Sequence, residues 1–354
     1  MSQRAVSLNQ SPWLGVFYVT GGGSGLLAEL LSTPGASKTV LEVVVPYAEA
    51  AMTDLLGKAP EQACSAATAR ALAMAAFQRA RAFGAGSAFG LGCTASLATD
   101  RRKRGKHRAY VALQTQGATY TAQLQLEGDR ASEERALVDM LWHALGRSLD
   151  LNLDTPPPEE FDSDLTHALE HWRALILDEA TAHATLQHDG KLLFPGAFNP
   201  LHHAHERMLE IAESRTGLRA AYELSIINVD KPLLDYTEIE SRLAQFKKQP
   251  VWLTRLPTFL DKARHFPDAH FIVGTDTVVR IVDPKYYDSV SDRDAALAEL
   301  ADLGSRFIVF GRVAGKAFQV LGDLDLPDEF QQLCIEISEE EFHEPISSTE
   351  LRKG

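Results

Sequence analysis

Two short stretches hold the residues whose types and spacing suit chemistry on a charged substrate. The first, Phe194 to His205, reads F-P-G-A-F-N-P-L-H-H-A-H; the second, Ile346 to Arg352, reads I-S-S-T-E-L-R. In the first, a glycine and prolines fix a tight backbone path, and His202 and His205 fall three residues apart as a helical pattern opens. A helix start presents unpaired N–H groups and the positive end of its dipole, which suits an anion, and two imidazoles on one face add donors for the same anion. In the second, Ser347, Ser348 and Thr349 offer hydroxyls and free N–H groups at the start of a final helix. Arg352, one turn on, can grip phosphate oxygens as a planar fork. Phosphate is the anion these groups suit best.

Plainer readings stand beside these. His202, His203 and His205 could form a metal site, although neighbouring histidines at this spacing diverge around a helix and no carboxylate motif accompanies them. Ser-Ser-Thr at a helix start is often only an N-cap. Its pairing with Arg352 and with the upstream turn is what favours a phosphate role.

The elements that must position these residues read as a parallel sheet with crossovers. From Lys191 onward short apolar strands alternate with helices. Strands are expected at Lys191 to Phe194, Glu223 to Asn228, Val251 to Thr254, His270 to Gly274 and Arg306 to Phe310, with a sixth at Ile335 to Ile337. A ligand would lie outside their carboxyl ends, where Gly196, Asn228, Thr254, Gly274 and Gly311 sit. Upstream, residues 11 to 150 read as a second α/β unit, with strands at Trp13 to Thr20, Leu41 to Pro46, Gly90 to Ser96, Ala109 to Gln114 and Tyr120 to Leu126. Its helices are expected at Leu26 to Ser32, Ala48 to Leu56, Ala66 to Phe83 and Glu133 to Leu149. Three consecutive prolines after Asp154 mark a linker, and Asp164 to His188 reads as one helix with Leu165, Leu169, Trp172, Leu175 and Ile176 on a stripe. The expected plan is α/β in two domains: 1–153, a linker at 154–163, and 164–354.

Composition narrows the partners. Across 354 residues the formal charge is −13, which argues against a polynucleotide because phosphate neutralisation needs a basic face. The dense basic run Arg101 to Arg108 reads by default as a solvated loop, with a phosphate-binding loop as an alternative. The three cysteines are scattered, so neither a disulfide framework nor a zinc ribbon is indicated and a reducing cytoplasm is expected. No segment approaches ~20 uninterrupted apolar residues, so no membrane span is expected.

The two stretches resemble the two signatures of the nucleotidylyltransferase superfamily, in its order and spacing. Within it the similarity is greatest to nicotinamide or nicotinate mononucleotide adenylyltransferases, with support from Asn228-Val-Asp-Lys-Pro232 and Phe271-Ile-Val-Gly-Thr-Asp276. The resemblance implies a Rossmann-like sheet and adenylyl transfer from ATP to a pyridine mononucleotide. It implies His202, His205 and Arg352 as catalytic groups, and Phe194, Gly196, Ala197, Phe198, Asn199, Ile346, Ser347, Ser348 and Thr349 around ATP. Asn228, Lys231, Thr258, Gly274 and Asp276 would hold the mononucleotide, although Asp276 also reads as a plain strand-end cap. Mg²⁺ would come with ATP, held largely by phosphate oxygens and water, with no protein metal site. The phosphate of one substrate attacks the α-phosphorus of the other in line, so the protein needs only to orient both and stabilise the leaving pyrophosphate. One departure is Ala204, which stands where the family has glycine. Cytidylyl transfer and a non-catalytic sensor or scaffold are the rival readings.

Residues 13 to 150 resemble the nicotinamide-nucleotide amidohydrolase domain of the competence/damage-inducible protein A family. The resemblance rests on Gly25-Leu-Leu-Ala28, Thr33-Pro-Gly-Ala-Ser37, Val43-Val-Val-Pro-Tyr47 and Leu55-Leu-Gly57. It places Gly21 where that family carries its serine nucleophile and Met52 where it carries a lysine, so this domain is expected to be catalytically retired. Ser24 is the one alternative nucleophile. The family tends to assemble as dimers or larger oligomers, which leaves self-association through this domain open.

Overall fold

The computed structural model describes residues 2–100, 105–158, 161–227, 232–314 and 317–344. Two compact units emerge, one formed by Met1–Leu177 with Asp230–Glu240, the other by Asp178–Val229 with Ser241–Gly354.

The first unit opens with helix α1 (Gln3–Asn9) and is built on a six-stranded mixed sheet. Strands β1 (Leu14–Thr20), β2 (Val40–Val44) and β3 (Ala88–Ser96) run parallel, with β1 in the middle. Strands β4 (His107–Thr115), β5 (Ala118–Leu126) and β6 (Phe161–His167) continue it antiparallel, giving the order β2-β1-β3-β4-β5-β6. Helices α2 (Ser24–Ser32), α3 (Glu49–Leu56), α4 (Ala66–Ala82) and α5 (Arg130–Leu149) pack around it. One core joins Phe17, Leu26, Leu91, Val111, Leu141 and Trp142. Each of these side chains contributes roughly 1.5–3 kcal/mol by leaving water.

The expected helix over Asp164 to His188 is corrected here. Residues 161–167 are β6, paired residue by residue with β5 from Leu124↔Phe161 to Ala118↔His167. Helix α6 spans only Glu170–Ile176, and strand β7 follows at Ala182–Ala184. The polar run Phe161-Asp-Ser-Asp-Leu-Thr-His167 makes an edge strand whose outward side chains meet water, so it shows little hydrophobic period. Of the expected apolar stripe, Trp172, Leu175 and Ile176 are buried on α6. His167 lies on β6 and His171 on α6. The expected linker at 154–163 also falls inside the first unit, which continues to Leu177. The described part of Asp230–Glu240 joins this unit because Tyr236, where helix α8 (Tyr236–Leu243) starts, is fully buried. Its N–H donates to Thr119 Oγ1 at 3.1 Å and its hydroxyl to the Gln116 carbonyl at 2.7 Å.

The second unit is a seven-stranded sheet. Its parallel strands are β8 (Leu192–Pro195), β9 (Ala221–Ser225), β10 (Val251–Thr254), β11 (His270–Gly274), β12 (Arg306–Phe310) and β15 (Cys334–Ile337). Strand β7 pairs antiparallel at one edge, and β13 (Arg312–Ala314) with β14 (Ala317–Gln319) forms a separate hairpin. The order is β15-β12-β11-β8-β9-β10-β7. From β8 the chain winds outward through β9 and β10, then returns to β11 on the other side and continues to β12 and β15. This reversal creates a crevice at the carboxyl ends of β8 and β11, the place where open doubly wound sheets bind ligands. Helices α7 (His203–Thr216), α9 (Phe259–His265), α10 (Thr275–Val282), α11 (Val290–Asp302) and α12 (Asp328–Gln331) lie in the crossovers, and α8 lies in the one from β9 to β10.

Candidate functional site

The crevice of the second unit is built by the turn from β8 into α7. Gly196 N–H bonds the Glu223 carbonyl of β9 at 3.0 Å, which holds the turn against the sheet. A Cβ at Gly196 would stand 2.6 Å from the Phe198 ring, so a larger residue would push that ring out. Phe198 itself has φ +44° and is 2% exposed. Its ring meets Phe194, Tyr222, His205 and Phe246 edge-on at 5.0–5.4 Å. Phe194 is also buried, stacked on Tyr222. The rings of Phe194 and Phe198, two residues expected around ATP, are thus the packing beneath the turn. Ala197 and Asn199 are exposed.

His202 is the N-cap of α7, and His205 sits one turn on. Their rings stack at 3.7 Å and 23°. The His202 N–H donates to His205 Nδ1 at 3.3 Å. That acceptor role assigns the proton of His205 to Nε2, a donor for an incoming oxygen. Burial, then the neighbouring His202, pushes the His205 imidazole down to about 3. Burial, then His203, lowers His202 as well. Both rings are therefore neutral near pH 7 and serve as single hydrogen-bond donors. His202 Nδ1 is buried and has no partner among the described residues. Ala204, in place of the family's glycine, is 3% exposed, so its methyl group is packed inside α7's inner face and offers almost no surface to a ligand. His203 Nε2 lies 3.2 Å from Glu344, so the described chain, two residues short of Ile346, reaches the same helix start.

Gly274 ends β11, the strand beside β8, and caps α10. Asp276, in the first turn of α10, pairs with Arg312 Nη1 at 2.6 Å. Thr258 lies apart, two strands away at the end of β10, where its hydroxyl caps α9 by accepting from Asp261 N–H at 3.1 Å. Phe259, next to Thr258, packs on Phe271 and Phe307 in the core. Asn228, Lys231, Ile346, Ser347, Ser348, Thr349 and Arg352 lie outside the described residues. Sequence reasoning missed Arg242 and Gln245. Arg242 Nη1 donates to the Ala197 carbonyl at 3.0 Å, and Gln245 holds Phe198 and Leu201.

The first unit has its own concave site, a cavity of about 470 Å³ lined by Thr20, Gly21, Tyr47, Met52, Thr94 and Arg130 among others. Gly21 has φ +78°, and a Cβ there would stand 1.9 Å from the Ala95 carbonyl oxygen. No side chain, serine included, fits position 21 on this backbone. Ser24 is engaged elsewhere: its hydroxyl donates to Glu134 at 2.9 Å. The same carboxylate accepts from the N–H groups of Gly23 at 2.9 Å and Gly25 at 3.0 Å. Burial pushes the Glu134 carboxyl up, but these three donors outweigh it and leave it below its ordinary value. The start of α2 is thus already occupied by an internal anion. Of the basic run, residues 101–104 lie outside the described residues; Lys106 bonds Gln125, and His107 bonds the buried Glu133 at 2.5 Å.

Among the described residues no group of three or more His, Cys, Asp or Glu is placed to hold a metal ion, and no helix is long and apolar enough to cross a membrane. The second unit thus carries a Rossmann-like sheet with a glycine turn feeding a helix start at its reversal point, and the first is a distinct α/β unit. Family comparison resolves both parts. Residues 19–149 match the CinA C-terminal domain and residues 193–354 match the cytidylyltransferase-like family. Nucleotidyl transfer is the general chemistry that the second match supports. No curated protein matches the chain as a relative. Among solved structures, a competence-damaged (CinA) superfamily protein from Klebsiella pneumoniae is 18% identical, covering 42% of this chain and 94% of that one with a TM-score of 0.34. The competence/damage inducible protein CihA from Agrobacterium tumefaciens is 23% identical, covering 40% and 86% with a TM-score of 0.32.

Proposed function

We propose that the second unit transfers adenylyl from ATP to nicotinamide or nicotinate mononucleotide, forming NAD or its deamido form and pyrophosphate. The observation that carries this reading is the stacked, neutral His202–His205 pair at the start of α7, set at the sheet's reversal point. The acceptor's phosphate attacks the α-phosphorus, the bond to the β-phosphate oxygen breaks, and charge builds on the leaving pyrophosphate. His205 Nε2–H and the helix start donate to that charge, and Arg352, Ser347, Ser348 and Thr349 from the second motif complete the clamp. Mg²⁺ would accompany ATP and would offset charge on its phosphates. Gly274 and Asp276 border the acceptor side, with Asn228 and Lys231 as further mononucleotide contacts. The acceptor brings its own phosphate nucleophile, so no general base is needed.

A second reading, cytidylyl transfer to a phosphorylated alcohol, is favoured by the cytidylyltransferase-like match of residues 193–354. Pyrophosphate release measured with ATP or CTP, Mg²⁺ and either class of acceptor separates the two. Turnover is expected with ATP and a pyridine mononucleotide, and turnover with CTP alone sinks the adenylyl reading. The first unit is proposed to act without covalent catalysis, because its nucleophile position is Gly21. The protein is expected to be cytoplasmic.

A further inference from the structure

The turn between β8 and α7 is pinned by a single side chain amide lying some 45 residues further along the chain. Gln245 Oε1 accepts the Leu201 N–H at 2.8 Å. Its Nε2 donates to the Phe198 carbonyl at 2.9 Å and to the Arg242 carbonyl at 3.3 Å. A carboxamide presents an acceptor oxygen and a donor nitrogen side by side on one planar group at the end of this chain; a carboxylate accepts only, an ammonium donates only, and a thioether does neither to useful effect. The opposite amide orientation would set donor against N–H and acceptor against carbonyl, so both contacts fix the same orientation. Gln245 is itself anchored by its neighbour Phe246, buried against Phe198 and Tyr222 at 5.4 and 4.7 Å.

What the amide holds is a costly conformation. Phe198 is a bulky residue at φ +44°, a region that costs on the order of 1–3 kcal/mol and persists only where the surroundings over-determine it. Phe198 and Leu201 bracket the exposed Asn199 and lead directly into His202. Movement of either end would carry the first histidine and the backbone at 197–199 with it. Arg242 adds a third tie, to the Ala197 carbonyl at 3.0 Å.

We infer that Gln245 is a positioning residue for triphosphate binding, holding the 197–202 turn in the geometry that receives the phosphates; this rests on the reading of that turn as the nucleotide site. The test uses the full chain with Mg²⁺-ATP as titrant in calorimetry, alongside steady-state pyrophosphate release. The folded Gln245→Met variant is expected to bind Mg²⁺-ATP at least tenfold more weakly and to raise KM for ATP, while KM for the mononucleotide stays within twofold. A purely structural role would lower the folded, active fraction, reducing kcat while leaving both KM values alone. Gln245→Glu, which keeps the Leu201 contact and sets a carboxylate against the Phe198 carbonyl, decides the matter if Gln245→Met does not fold, and it too is expected to weaken ATP at least tenfold. Either folded variant binding Mg²⁺-ATP within twofold of the wild type overturns the positioning role alone. A wild-type chain that binds neither ATP nor CTP overturns the reading of the turn as a nucleotide site, and the positioning role with it.

Discussion

The two units each place a helix start at the carboxyl end of a parallel strand, and they treat it in opposite ways. At the start of α2 the N–H groups of Gly23 and Gly25 and the Ser24 hydroxyl converge on Glu134, an anion supplied by the chain itself. At the start of α7 the chain supplies neutral imidazoles, and His202 Nδ1 has no partner among the described residues. A helix start has the same preference for an anion in either place. The first meets that preference with a carboxylate bonded to its own N–H groups; at the second the carboxylates of Glu206 and Glu344 stand nearby, with Glu344 on the His203 ring. This contrast, together with Gly21, is why the nucleotide chemistry is assigned to the second unit.

The largest expected effect comes from removing one of the imidazoles. His202→Ala should lower kcat for pyrophosphate release by about 10²–10³, the scale of losing one preorganised donor to developing charge, with the thermal melt retained. A loss under threefold would mean that the helix start does not face the leaving group. Glu134→Ala should destabilise the first unit by about 1–3 kcal/mol in urea, since three donors lose their acceptor. It should leave pyrophosphate release within twofold, and a matching fall in that rate would erase the distinction between the two helix starts.

The smallest effect is on pH dependence. His205 has a native value lowered to about 3, below the ordinary 6.5 of the unfolded chain, so the unfolded state binds the extra proton between those values. Its contribution to stability is complete above about 6.5 and is lost as pH falls towards 3. His205→Asn should flatten the fall in unfolding free energy across that window by up to one proton, about 1.4 kcal/mol per pH unit. An unchanged slope would show that His205 is protonated in the native state.

Much of this contrast was legible in the sequence. The β-branched and aromatic runs Val251–Thr254, His270–Gly274 and Arg306–Phe310 are strands at the bounds expected, because a strand covered on both faces is a continuous apolar run between breakers. Strand β6 was not legible, because an edge strand with Asp162, Ser163 and Asp164 facing out carries almost no hydrophobic period. Nor was Gln245, whose partners Phe198 and Leu201 are distant in sequence. Phe194 and Phe198 were read as ligand contacts, although the burial of two aromatic rings at a strand end was the physically simpler fate. Their apolar type was the signal.

The measurement that bears most directly on the account is product analysis of the full chain incubated with ATP, Mg²⁺ and either pyridine mononucleotide. The account predicts NAD or its deamido form together with one equivalent of pyrophosphate. A folded protein that yields neither product from either mononucleotide would contradict it.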